Sequence, residues 1–232
     1  MTALGVPLAR RVGAEGLGTG LLVTVVVGSG IAAQRLSPDD VGLQLLENST
    51  ATGLGLAVLI VILGPVSGAH LNPVVSVADW LLGHRSRAGL PGREVTPYVV
   101  AQVLGAVLGA ELANLMYRVP VTELSHHHRS GSNLVLGEVV ATTGLVLVVL
   151  ALARTGRTHL AAPTVGAYIA AAYWFTSSTS FANPAVTVGR LFTDSFAGIA
   201  PASVPAFVLA QLLGAGLGIA LVGWLHPWRA LD

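Results

Sequence analysis

Long apolar runs separated by short polar clusters fill almost the whole chain. Segments long enough to cross a bilayer, at about 20 residues per crossing, fall at 12–33, 50–66, 96–117, 133–153, 161–179 and 202–225. Two shorter amphipathic stretches, 72–82 and 183–192, each begin with Asn-Pro. Asn accepts hydrogen bonds as an N-cap, and proline at the first helical position gives up an N–H that would lack a partner anyway. The pattern predicts an all-α membrane protein with six transmembrane helices plus two re-entrant half-helices that start within the membrane.

Composition agrees with the pattern and narrows the chemistry. Of 232 residues, 53% are hydrophobic and 10% charged, too apolar for one soluble core. There is no Cys, which excludes disulfides, thiolate metal sites and thiol redox chemistry. A net charge of +1 gives no basic surface for nucleic acid. Arg10-Arg11 before an apolar run resembles a secretory signal, but the run from Gly16 to Ala33 is long enough to span and lacks a cleavage pattern. With the N-terminus in the cytoplasm, Arg10, Arg11, Arg85, Arg87, Arg93, Arg154, Arg157 and Arg229 lie inside, eight of 12 arginines. The positive-inside rule therefore predicts a multi-pass plasma (inner) membrane protein with both termini cytoplasmic.

The two halves repeat one another. Glu15-xxx-Thr19 is answered by Glu138-xxx-Thr142, Asn72-Pro73 by Asn183-Pro184, and Gln102-xx-Gly105-Ala106 by Gln211-xx-Gly214-Ala215. Asn to Gln is 30 residues in the first half and 28 in the second. Three spans per half is an odd number, so the second copy enters the membrane from the opposite side. The chain thus reads as one channel domain, 1–232, built of inverted repeats 1–118 and 133–232. The two half-helix N-termini then meet near the midplane and concentrate positive partial charge there, which repels cations. The non-helical backbone leading into them, Gly68, Ala69, His70 and Leu71 on one side and Thr179, Ser180, Phe181 and Ala182 on the other, must line a wet cavity or be buried in protein. A file of carbonyls, notably those of Gly68, Ala69, His70 and Phe181, with the Asn72 and Asn183 amides as donors, suits small neutral molecules that carry hydroxyls.

Ser67-Gly68-Ala69-His70-Leu71-Asn72-Pro73-Val74 and Phe181-Ala182-Asn183-Pro184-Ala185, with the paired Glu15 and Glu138, resemble the hallmarks of the aquaporin and aquaglyceroporin (major intrinsic protein) family over nearly the whole chain. The resemblance implies a right-handed six-helix bundle, a homotetramer and one pore per subunit, with no cofactor. Two positions depart from the family pattern: Val74 stands where Ala is usual, and Val186 where the family has the Arg of its outer constriction. Offsets from the two asparagines carry the remaining filter positions to Thr52, Ala171 and Ser180. A ring of Thr52, Ala171, Ser180 and Val186 is small, uncharged and wide. It resembles the filter of bacterial members linked to arsenic resistance, which pass arsenite as neutral As(OH)3. The function implied is passive passage of arsenous acid, glycerol-like polyols and water. Asp79 and Arg190, seven residues after each Asn, share nearly the same helical face as the asparagines, and Arg190 partly replaces the missing cation in the outer vestibule.

Each of these residues has a plainer reading as well. Glu15 and Glu138 read as structural acceptors that fix the re-entrant loops instead of as proton relays, although a charge at membrane depth usually has a function. His126-His127-His128 reads as a solvated loop, because consecutive histidines cannot all face one ion, so no metal site is expected. His70, Gln102 and Gln211 read as bracing groups, and the Gly105-xxx-Gly109 and Gly214-xxx-Gly218 faces as close helix packing. The alternatives to a polyol and arsenite channel are a water-selective aquaporin and a secondary carrier. No Ser/His/Asp spacing or phosphate loop supports an enzyme.

Overall fold

A computed structural model describes residues 5–83 and 89–226, so Arg85, Arg87 and Arg229 of the orientation argument lie outside the described residues. The described residues form eight α-helices and no strand: α1 (Leu8–Leu36), α2 (Val41–Ser67), α3 (Pro73–Gly83), α4 (Gly92–Met116), α5 (Ser132–Arg154), α6 (Ala161–Phe175), α7 (Pro184–Gly189) and α8 (Val204–Leu225). Five of them, α1, α2, α4, α5 and α8 with its preceding turn, are long and apolar enough to cross a membrane.

Two expected boundaries move. The 34–49 connection shrinks to 37–40, because the Asp40 side chain accepts from the Leu43 N–H at 2.9 Å and starts α2 well before residue 50. The fifth span, expected to reach 179, is helical for 15 residues only. The Thr176–Ser180 run of hydroxyl side chains follows it, and such side chains compete for backbone groups and favour helix ends; Thr176 Oγ1 already bonds back to Ala172 O at 2.7 Å.

The helices turn their large apolar residues outward. Leu54, Val58, Val61, Leu104, Leu108, Leu209 and Leu213 are exposed, whereas Glu15, Thr19, Gln102, Glu138, Thr142 and Gln211 are fully buried. That distribution is what a lipid solvent selects, since hydrocarbon outside offers leucine no reason to hide. Glycines bring the helices together: a Cβ on Gly105 would stand 2.0 Å from the Gly16 carbonyl oxygen, and one on Gly109 2.1 Å from that of Gly20. The second half packs α5 on α8 in the same manner, with a Cβ on Gly214 only 2.6 Å from Val139 O. With α1 fixed on α4 and α5 on α8, the two short helices α3 and α7 are held tip to tip in the interior.

Candidate functional site

Each half-helix is capped by its own asparagine and tied to the other. Asn72 Oδ1 accepts from Val74 N at 3.1 Å, and Asn183 Oδ1 accepts from Ala185 N at 3.0 Å and Val186 N at 3.2 Å. The opposite end of each amide crosses over: Asn72 Nδ2 donates to Ala182 O at 2.8 Å, and Asn183 Nδ2 to Leu71 O at 2.7 Å. The side-chain oxygens thus satisfy helix-start donors while the NH2 groups lock the two loops together. Pro73, Val74 and Ala185 are buried and Pro184 half-buried around this crossing.

The loops into both helices are wound tightly. Ala69, Leu71, Thr179, Ser180 and Ala182 have φ between 48° and 61°, and Gly68 has φ 94°. Left-handed backbone costs an L-residue roughly 1–2 kcal/mol, so something must hold it. Two buried carboxylates do. Glu15 accepts from Ser67 Oγ (2.6 Å), His70 N (3.0 Å), Leu71 N (2.7 Å) and Gln102 Nε2 (2.7 Å). Glu138 accepts from Phe181 N and Ala182 N, both at 2.9 Å, and from Gln211 Nε2 at 2.6 Å. The same glutamines reach the residue four after each Asn: Gln102 to Ser76 at 3.0 Å and Gln211 to Thr187 at 2.9 Å. Turning the amides toward the carboxylates leaves loop carbonyls free to face the interior. His70 is braced by Ser76 Oγ at 3.1 Å and lies 3.7 Å from Asp79.

The two asparagines, His70 and the loop residues before each half-helix line a cavity of about 110 Å³. At roughly 10–15 Å³ per water centre it has room for several waters. Gly68, Ala69, His70, Leu71, Asn72, Ser180, Phe181 and Asn183 form its polar wall. The facing wall is apolar and regular: Leu56 and Ile60 of α2, Ala161, Val165 and Ile169 of α6, and Leu22, Val26, Leu145 and Val149. Fourfold spacing along α2 and α6 presents one helical stripe from each to the cavity. A passage with hydrogen-bonding groups along one side and hydrocarbon along the other orients a small polar solute without trapping it.

The expected ring at the α7 end is partly rearranged. Thr52, Ser180 and Val186 all line the cavity. Ala171 does not: it is exposed on the outside of α6, because it is out of phase with the Val165–Ile169 stripe. Tyr173, the next residue of that stripe, takes the place and comes within hydrogen-bond distance of Thr52, hydroxyl to hydroxyl at 3.3 Å. Thr52, Ser180 and Val186 bring no charge, and the cation expected from Arg190 is found in the cavity wall. Arg190 is 1% exposed, lines the same cavity, and sits one helical turn beyond Val186. Its guanidinium carbon lies 3.4 Å from the centroid of the Phe181 ring, and its Nε donates to Ala197 O.

A second arginine supports the first. Arg129 stands 5.1 Å from the Phe181 centroid, and its Nε and an NH2 group donate to Gly198 O at 2.8 Å and Phe196 O at 2.9 Å. Burial pushes the Arg129 guanidinium down to about 10, with Tyr173 and Glu138 opposing the shift; it remains charged at neutral pH. The two guanidiniums thus hold three successive carbonyls, Phe196 to Gly198. Sequence offsets missed Tyr173 and Arg129. The i, i+4 stripe of α6 was a sufficient signal for Tyr173; nothing local marked Arg129, whose contacts are 67 and 69 residues away.

The model of the family described as "Major intrinsic protein" matches residues 3–180, more than half of the chain. The chain is 52% identical over 226 residues to the aquaglyceroporin AqpS of Rhizobium meliloti (strain 1021), covering 97% of this chain and 94% of that protein. It is 33% identical over 243 residues to the glycerol uptake facilitator protein of Pseudomonas aeruginosa, covering 88% and 84%. The X-ray structure of the aquaglyceroporin from Plasmodium falciparum superposes with a TM-score of 0.70 at 22% identity, covering 93% of this chain and 96% of that one; this likeness establishes the fold.

Proposed function

The chain belongs to the major intrinsic protein family, a family of channels and not enzymes, and on that premise we propose that it passes small uncharged solutes bearing hydroxyls: glycerol-like polyols and arsenous acid, with water. The observation that carries this reading is the lining itself. Thr52, Tyr173 and Ser180 offer hydroxyls around one end of the cavity, and the Ser180 hydroxyl has no protein partner among the described residues. Small side chains at Thr52, Ser180 and Val186 leave room for a polyol, and the opposite apolar stripe accommodates its carbon side.

Charge exclusion has two sources. The α3 and α7 N-termini meet at the crossed asparagines and carry about half an elementary charge each, and Arg190 adds a fixed cation at one end of the cavity. The family's known design of selectivity by diameter, hydrogen bonding and electrostatic barriers is the general case. In our reading the Arg190 end is extracellular, both termini are cytoplasmic, the halves 1–118 and 133–232 are inverted repeats, and four copies assemble in the plasma membrane with one pore each.

Stopped-flow permeabilities for water, glycerol and arsenous acid on one reconstituted preparation test the proposal. All three should permeate without saturation and without dependence on an ion gradient. Exclusion of glycerol and arsenous acid with rapid water flux would make it a water-selective pore, and saturable, ion-coupled flux would make it a carrier.

A further inference from the structure

The loops at the Arg190 end gather a group of side chains that takes no part in the pore. Glu123 and His126 lie between α4 and α5, and Asp194 follows the turn after α7. One ligand atom from each, a carboxylate oxygen, an imidazole nitrogen and a second carboxylate oxygen, lies within 4.8 Å of the other two, and all three residues are exposed. His126 Nδ1 is 3.2 Å from Asp194 Oδ2. Two ligand atoms on one tetrahedral zinc, each about 2.0–2.1 Å from the metal, are separated by about 3.3 Å. That edge of the site is therefore already at metal-binding length, and the exposed Glu123 carboxylate offers an oxygen within 4.8 Å of both other ligand atoms.

The position of Asp194 is fixed independently of the imidazole. Its Oδ1 accepts from His126 N at 2.9 Å and lies 3.5 Å from Ser125 Oγ, and Ser125 N in turn donates to Leu191 O at 2.8 Å. The structure also separates the three consecutive histidines. His127 belongs to a different set of contacts: its N–H donates to Ser125 Oγ at 3.1 Å and its carbonyl accepts from Ala200 N at 2.8 Å, and its ring is not in the three-residue group. His126 faces carboxylates. A single member of the run meets the two acids, which removes the objection that three neighbours cannot face one ion.

We propose that Glu123, His126 and Asp194 bind a divalent transition-metal cation of the zinc class, with water completing its coordination. One imidazole and two carboxylates, with no thiolate, suit Zn²⁺, Co²⁺ or Ni²⁺; the imidazole disfavours Mg²⁺ and Ca²⁺, which take oxygen ligands. Bound metal bridges the α4–α5 loop to the 193–200 loop, whose Ala197 carbonyl holds Arg190. The site thus couples an external ion to the segment that positions the pore's cation.

The test is a zinc titration of the full chain, purified without a histidine tag, stripped with chelator and held in detergent micelles. One zinc should bind per chain; Glu123→Gln and His126→Ala should each weaken binding at least about tenfold, and His128→Ala should leave it unchanged. Metal-free water permeability of each variant should equal that of the parent, which establishes that the variants fold. The proposal fails if the parent retains no zinc, if His126→Ala binds as tightly as the parent, or if His128→Ala alone abolishes binding.

Discussion

Arg190 stands four residues beyond Val186, and both line the same cavity. The cation that position 186 lacks is thus supplied one turn further along, on the same helical face. Its side chain is fixed by the Phe181 ring and Ala197 O, so the charge cannot swing away into solvent. Arg190→Ala should therefore raise the glycerol-to-water permeability ratio and introduce a cation leak. Val186→Arg adds a second guanidinium one turn closer to the asparagines and should cut glycerol flux more than water flux. Stopped-flow light scattering and a membrane-potential dye on proteoliposomes read both; unchanged solute ratios in the two variants would place the constriction elsewhere.

Glu15 concentrates four donors on one carboxylate. Glu15→Ala leaves the His70, Leu71 and Gln102 N–H groups without their acceptor in the interior. At roughly 1 kcal/mol or more per unpaired donor, the expected loss is about 3 kcal/mol or more, with collapse of solute flux. Glu138→Ala should behave alike through Phe181, Ala182 and Gln211. Denaturation in mixed micelles measures the loss; a variant with parental stability would mean that the loops hold their left-handed turns unaided.

The α1–α4 contact has no room for a methyl group. Gly109→Ala would place a carbon 2.1 Å from Gly20 O, and since that neighbour is backbone the helices must separate. Overpacking of this kind costs about 1–3 kcal/mol, so the melting temperature should fall. Gly13→Ala, with nothing within 4 Å of the added carbon, should be neutral or raise it, because alanine is the better helix former by about 1 kcal/mol. Thermal melts check the prediction, with a fall for Gly109→Ala and no fall for Gly13→Ala.

Asp194 is held below its ordinary value of 3.8 by the His126 backbone N–H, against the opposing effect of burial, with the His126 ring and Ser125 adding to the depression. A depressed carboxylate contributes stability that is fully present above its unfolded value and is lost as pH falls through the folded one. The link between the α4–α5 loop and the 193–200 loop should therefore survive from neutral pH down to about 3.8 and weaken below it. The effect is small because the Asp194 side chain is 36% exposed and screened by solvent. Hydrogen exchange of the 117–131 segment, corrected for intrinsic rates, should lose protection only in that acid range, and Asp194→Asn should remove the acid dependence.

Much of this protein is written locally. Apolar length forecasts the spans, Asn followed by Pro starts a helix wherever it falls, and the spacing of Glu15, Asn72 and Gln102 against Glu138, Asn183 and Gln211 duplicates one framework. Those signals depend on a few neighbouring residues or on comparing the chain with itself, so they need no folded structure. Apolar length alone places the start of α2 too late because its first turns, from the Asp40 cap onward, are polar, and the end of α6 too far because a hydroxyl run still looks apolar enough to span.

The filter behaves differently. Thr52, Ser180 and Val186 could be reached by counting from the asparagines, but Ala171 could not stand in for Tyr173, since two residues along a helix turn a side chain through about 200°. Arg190 was legible as a charge near the right face, but its burial against Phe181 and Ala197 was not. Phe181 depends on Glu138 for its path, and Ala197 depends on Arg129. Helix starts and the duplicated pattern follow from neighbouring residues and from the chain's likeness to itself, whereas the side chains that meet at the α7 end follow from the fold, because helix phase and loop paths are set by partners dozens of residues away.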